Sequence, residues 1–76
     1  MDEKVLDMLA ELCEDDVVKE NLDIDLFETG LLDSLGFTEL LVNIETEFDV
    51  VIAPSEVERE DMNTPHKIIH QIQSRI

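Results

Sequence analysis

Basic residues are scarce in this chain: 5 Lys and Arg stand against 20 Asp and Glu, a formal charge of −15 over 76 residues. Nucleic-acid binding depends on neutralising phosphates with Lys and Arg, so DNA, RNA and anionic headgroups should repel it, and its partners are expected to be basic proteins. Cysteine occurs once, as Cys13, which excludes an internal disulfide and points to a reducing compartment, the cytoplasm. No apolar run approaches the length that crosses a bilayer, and Met1-Asp2-Glu3-Lys4 lacks the basic start of a secretory signal, so neither export nor direct membrane insertion is expected. Internal repeats and linkers are missing too. What is present is 43% hydrophobic, enough for one small core and one domain. High net charge is also a mark of disorder, but the apolar residues here are numerous and periodic, and the chain is expected to fold.

Val5, Leu6, Leu9, Leu12 and Cys13 fall at helical spacing and predict a first amphipathic helix ending near Asp15-Asp16, with Cys13 a small core residue. The stretch from Val17 to Leu32 has no sustained period and reads as a long loop pinned by Ile24, Leu26, Phe27, Leu31 and Leu32. Phe37, Leu40, Leu41, Ile44 and Phe48 form the stripe of a second helix, with Asp33 as N-cap, Ser34 opening it and Leu32 paired with Phe37 as a hydrophobic staple. Val50-Val51-Ile52 is β-branched but has no second strand to join, so it reads as an apolar connection. Pro54-Ser55 predicts a short helix through about Glu60, and Thr64-Pro65 starts a last helix whose core stripe is Ile68, Ile69, Ile72 and Ile76. The expected architecture is all-α: a four-helix bundle with a long first loop and a short third helix.

Charge is unevenly placed. Between Lys19 and Arg59 there is no base, while eleven Asp and Glu occur. A solvated face mixes signs for i,i+4 pairing, whereas Asp33, Glu39, Glu45 and Glu47 have no such base, and a docking surface for a basic partner would explain the one-sidedness. Leu35 and Val42 fall off the core stripe and are expected to be exposed beside Glu39 and Glu45, an apolar spot ringed by acid. Each alone could be an ordinary surface residue. Ser34 has two readings at this point: part of a helix start beside its cap, or a hydroxyl that carries a phosphate-linked group where free amides and the helix dipole favour an anion.

Glu28-Thr29-Gly30-Leu31-Leu32-Asp33-Ser34-Leu35-Gly36, followed by Glu39-Leu40-Leu41 and Ile44-Glu45-Thr46-Glu47-Phe48-Asp49, resembles the acyl carrier protein family. More narrowly, the runs 5–12, 16–21 and 63–69 resemble the D-alanyl carrier proteins, which serve D-alanylation of teichoic acids in Gram-positive bacteria, and Gly36 agrees with that group. The sequence departs at Phe37-Thr38, where Thr and then an aliphatic residue are expected, and at Met62, where the group often has Trp. The resemblance implies an acyl-carrier-like bundle, a single carrier domain over residues 1–76 whose Ser34 bears covalent 4′-phosphopantetheine from coenzyme A. It also implies docking through Asp33, Leu35, Glu39, Val42 and Glu45, and no catalytic residues. The implied partners are a phosphopantetheinyl transferase, a D-alanine–carrier protein ligase and membrane-bound D-alanyl transfer machinery, met by a monomer. Two alternatives stay open: a stand-alone acyl or aminoacyl carrier for fatty-acid, polyketide or peptide-synthetase chemistry, and an acidic helical interaction module with no use for Ser34.

Other constellations are weaker. Asp23-Ile24-Asp25-Leu26-Phe27 starts like a calcium loop, but Phe27 fills a ligand position, Glu28 replaces the required Gly and Ser34 stands where the bidentate Glu belongs. His66 and His70 are four apart on the last helix with no carboxylate or thiol nearby in sequence, so both are expected to face solvent and no metal is expected.

Overall fold

The apolar stripes of three helices converge on fully buried Leu9, Leu40, Ile44, Ile68 and Ile72. The computed structural model describes residues 2–76, as helices α1 (Asp2–Cys13), α2 (Val17–Glu20), α3 (Ser34–Phe48) and α4 (Pro65–Gln73), with a 3₁₀ turn at Arg59–Asp61. The fold is all-α, as expected, and α1 packs against each of the other three α-helices.

The chain stops and restarts these helices by local chemistry. Glu14 takes a left-handed φ of 56° just after α1, and the Asp15 N–H closes back on the Ala10 carbonyl at 3.1 Å, a Schellman-type end. Asp49 does the same work after α3, at φ 55°, donating to the Glu45 carbonyl at 3.0 Å. Thr64 caps α4 by accepting from the Lys67 N–H at 3.1 Å, with Pro65 in the first turn, as the sequence predicts.

Four expectations are corrected. The loop from Val17 is interrupted at once by α2: the Asp15 carboxylate accepts the Val17 N–H at 3.0 Å, and fully buried Val18 anchors the single turn in the core. The short helix expected from Pro54 to Glu60 is instead an isolated turn, closed by the Glu56 N–H on the Ala53 carbonyl, followed by the 3₁₀ turn at Arg59–Asp61. Val57, 8% exposed, enters the core between them, and Glu58 is extended, so no continuous helix forms. Ile76 is 74% exposed and leaves the core stripe, because Arg75 and Ile76 bond to carbonyls three residues back, beyond the end of α4, and that tighter winding rotates Ile76 outward. Cys13 is half-buried against the core instead of within it.

The connection at 50–52 alternates, with Val50 and Ile52 buried and Val51 exposed, as an extended segment must. The long loop is pinned as expected: Leu26 and Leu32 are buried, and Ile24, Phe27 and Leu31 pack on the core. Its backbone is tied to the entry of α4 by the Leu26 N–H on the Asn63 carbonyl at 2.7 Å and by the His66 N–H on the Leu22 carbonyl at 3.0 Å. Asp25 organises the middle, accepting from the Phe27 and Glu28 N–H groups at 3.0 and 2.9 Å and from the Asn63 side-chain amide at 3.2 Å. The loop therefore delivers residue 33 to a fixed point.

Candidate attachment site and docking face

At that point α3 begins. Asp33 is extended and its carboxylate accepts the Gly36 N–H at 2.7 Å, the cap expected from sequence. A side chain at Gly36 would be crowded: a Cβ there would lie 3.0 Å from Leu32 Cδ1 and 3.3 Å from Asp33 Oδ1. The glycine lets buried Leu32 lie across the helix start and hold the first turn against the core.

Ser34 is exposed in that first turn, and its Oγ accepts a hydrogen bond from the Arg59 guanidinium, 25 residues away. Arg59 is held in turn. Its Cζ lies 5.2 Å from the Phe27 ring centroid, and Phe27 meets Phe37 edge-on with centroids 5.8 Å apart. Phe37, a departure from the resembled pattern, is thus half-buried in the stack that supports the guanidinium, while Met62, the other, is fully buried in the core. Neither Phe27 nor Arg59 was singled out by sequence as part of the site. The only signal was that Arg59 ends the stretch without bases.

Further along α3, Leu35 is 70% exposed and Val42 56%, with Glu39 and Glu45 exposed beside them. Offsets of 4, 7 and 10 from Leu35 place all four on one face, with Asp33 and Ser34 at its N-terminal end. Sequence reasoning missed Val51, which is exposed and joins Val42, Thr38 and Pro54 around a shallow groove of about 170 Å³. One electrostatic expectation changes: Glu47 does have a basic neighbour, Lys4 of α1, at 3.5 Å. His66 and His70 are exposed, as expected; His66 Nδ1 stands 3.8 Å from Asp23 Oδ1. Burial, and next the Asp15 carboxylate, push the Cys13 thiol above its ordinary pKa.

The sequence pattern of the family described as "Phosphopantetheine attachment site" matches residues 3–72. This chain belongs to that family. Among curated members, D-alanyl carrier protein of Bacillus subtilis (strain 168) is 53% identical over 70 residues, covering 92% of this chain and 90% of the relative. D-alanyl carrier protein of Abiotrophia defectiva is 50% identical over 76 residues, covering 100% and 96%, and that of Bacillus cereus (strain B4264) is 44% identical over 71 residues, covering 93% and 90%. The cofactor of a phosphopantetheine attachment domain is 4′-phosphopantetheine, and the exposed Ser34 hydroxyl with a guanidinium donor at its oxygen fits a phosphate-linked group.

Proposed function

We propose that Ser34 is the attachment residue and that the chain carries D-alanine as a thioester on 4′-phosphopantetheine, from a D-alanine ligase towards teichoic acid. The reading is supported chiefly by about 50% identity to D-alanyl carrier proteins over nearly the whole chain, together with an exposed serine hydroxyl in the first turn of a well-capped helix. When bound, the cofactor supplies the thiol that holds the acyl group. The chain itself fixes the root of the arm on a rigid helix end and presents the face of Asp33, Leu35, Glu39, Val42 and Glu45 to each enzyme in turn. Charge speeds the encounter, the small apolar contact defines the docked state, and release stays quick.

This division of labour needs no catalytic residue in the carrier. It also fits a single domain working as a cytoplasmic monomer, and no helix among the described residues is long and apolar enough to cross a membrane. The ammonium of D-alanine is costly to desolvate, so its thioester belongs outside the core, near the acidic face.

Intact-protein mass is the direct test. With coenzyme A and a phosphopantetheinyl transferase, the protein should gain one phosphopantetheine, and Ser34→Ala should gain none while keeping its helical spectrum. The holo protein should then accept D-alanine from its ligase without shifts in core amides such as those of Leu40 and Ile44. A modified Ser34→Ala protein would overturn the attachment site. Failure to load D-alanine alongside efficient fatty acylation would move the cargo to another carrier class.

A further inference from the structure

In so acidic a chain every base should find a carboxylate. Lys19 lies 2.7 Å from Asp7, Lys4 3.5 Å from Glu47 and Arg75 3.6 Å from Glu56. Lys67 sits on the Glu60 carbonyl at 2.9 Å. Arg59 is the guanidinium with no carboxylate oxygen within ion-pair distance among the described residues, although Glu58, Glu60 and Asp61 adjoin it in sequence. Asp61 instead accepts the Glu58 N–H at 2.9 Å. The Arg59 side chain lies over Phe27 and reaches the one hydroxyl that opens α3.

We propose that Arg59 is a positioning residue that anchors the phosphodiester at the root of the phosphopantetheine arm. The inference rests on Ser34 being the attachment residue. Esterification of Ser34 places a permanent negative charge beside Asp33 on a protein that already carries −15, a placement that costs free energy unless a local cation offsets it. One guanidinium N–H is already directed at Oγ. The nonbridging phosphate oxygens lie one bond beyond the esterified phosphorus, and a planar guanidinium can meet two of them with parallel N–H bonds. Phe27, braced edge-on by Phe37, holds the cation over the site without the neutralisation that an acidic partner would bring. Arg59 thus fixes where the arm leaves the surface, and the arm beyond the phosphate stays free to swing.

The test compares apo and holo forms of the full chain as wild type, Arg59→Gln, Arg59→Lys and the charge control Lys67→Gln. In wild type, conversion to holo should shift the Arg59 Nε–Hε NMR signal and slow its exchange with water. The ³¹P resonance of the holo protein should move in Arg59→Gln, move less in Arg59→Lys and stay in place in Lys67→Gln. Phosphopantetheinylation should lower the melting temperature of Arg59→Gln by about 2–4 °C more than that of wild type or Lys67→Gln. An Arg59 signal unchanged by modification, or an Arg59→Gln response equal to that of Lys67→Gln, overturns the anchor. If Arg59→Gln is modified too slowly to prepare, the wild-type Arg59 signal decides alone. A wild type that gains no phosphopantetheine mass refutes the attachment reading instead, so the two failures are distinct.

Discussion

Two thiols coexist in the holo protein, and residue-scale physics separates them. Cys13 is half-buried at the end of α1, and desolvation followed by the Asp15 charge raises its pKa. A raised pKa means less thiolate at any pH below it, and thiolate is the nucleophile, so Cys13 should react slowly near neutrality and speed up as pH climbs towards its shifted value, levelling off beyond it. The arm's thiol, free in solvent, should react first. With limiting iodoacetamide at pH 8, Cys13 should label on the order of tenfold more slowly than the arm. Trypsin cleavage after Lys19 and Arg59 puts Cys13 and Ser34 in separate peptides, which makes the comparison a matter of peptide masses. Equal rates would mean that Cys13 is an accessible, activated thiol. The exposed residues of the α3 face were legible in the sequence because each follows from helical phase relative to the buried Leu40 and Ile44. Arg59 was not, because its meaning lies in a contact across 25 residues that no local period encodes.

At the scale of elements, α3 and α4 were readable because strong periodicity coincides with a chemical start signal, Asp33 in one and Thr64-Pro65 in the other. The short pieces were not. α2 owes its existence to the Asp15 carboxylate and to Val18 reaching the core, and the expected third helix gave way because Val57 is worth more buried than in register with a surface turn. The long loop illustrates the same competition. Its residues carry turn formers and no period, yet it is ordered through Asp25, which gathers two loop amides and Asn63. Removing that carboxylate should leave the loop's apolar contacts but free its backbone. Asp25→Ala is therefore expected to lose about 1–2 kcal/mol of stability, lowering the melting temperature by about 5–10 °C. Hydrogen exchange should rise first at Phe27, Glu28 and Leu26, and Asp25→Asn should recover much of the loss. Unchanged exchange at those amides would mean that Leu26 and Leu32 alone order the loop. Because the loop sets the position of Ser34, the same substitution should slow phosphopantetheinylation even where the protein remains folded.

For the whole molecule, the net charge acts in two opposite ways. With −15 on a small bundle, self-repulsion disfavours the compact state, so raising salt should raise the melting temperature by screening alone, with no bound metal required. On the proposed function the same field would draw basic enzymes towards α3, and the screening length falls from about 8 Å at 0.15 M to about 3 Å at 1 M, so salt should slow docking while it stabilises the carrier. Glu39→Lys and Glu45→Lys separate the effects: each also lowers the magnitude of the net charge, which favours folding, but reverses a charge on the proposed docking face. Each should slow loading by about threefold, and the pair by about tenfold, through the association rate and at low salt, with the differences from wild type shrinking as salt rises. Stopped-flow association with the ligase across a salt series, run beside thermal melts, distinguishes the outcomes. Variants that melt higher and load more slowly place the acidic face of α3 at the interface. Variants that melt higher and load at the wild-type rate would reduce Glu39 and Glu45 to solubilising charge and move the docking face elsewhere on the molecule.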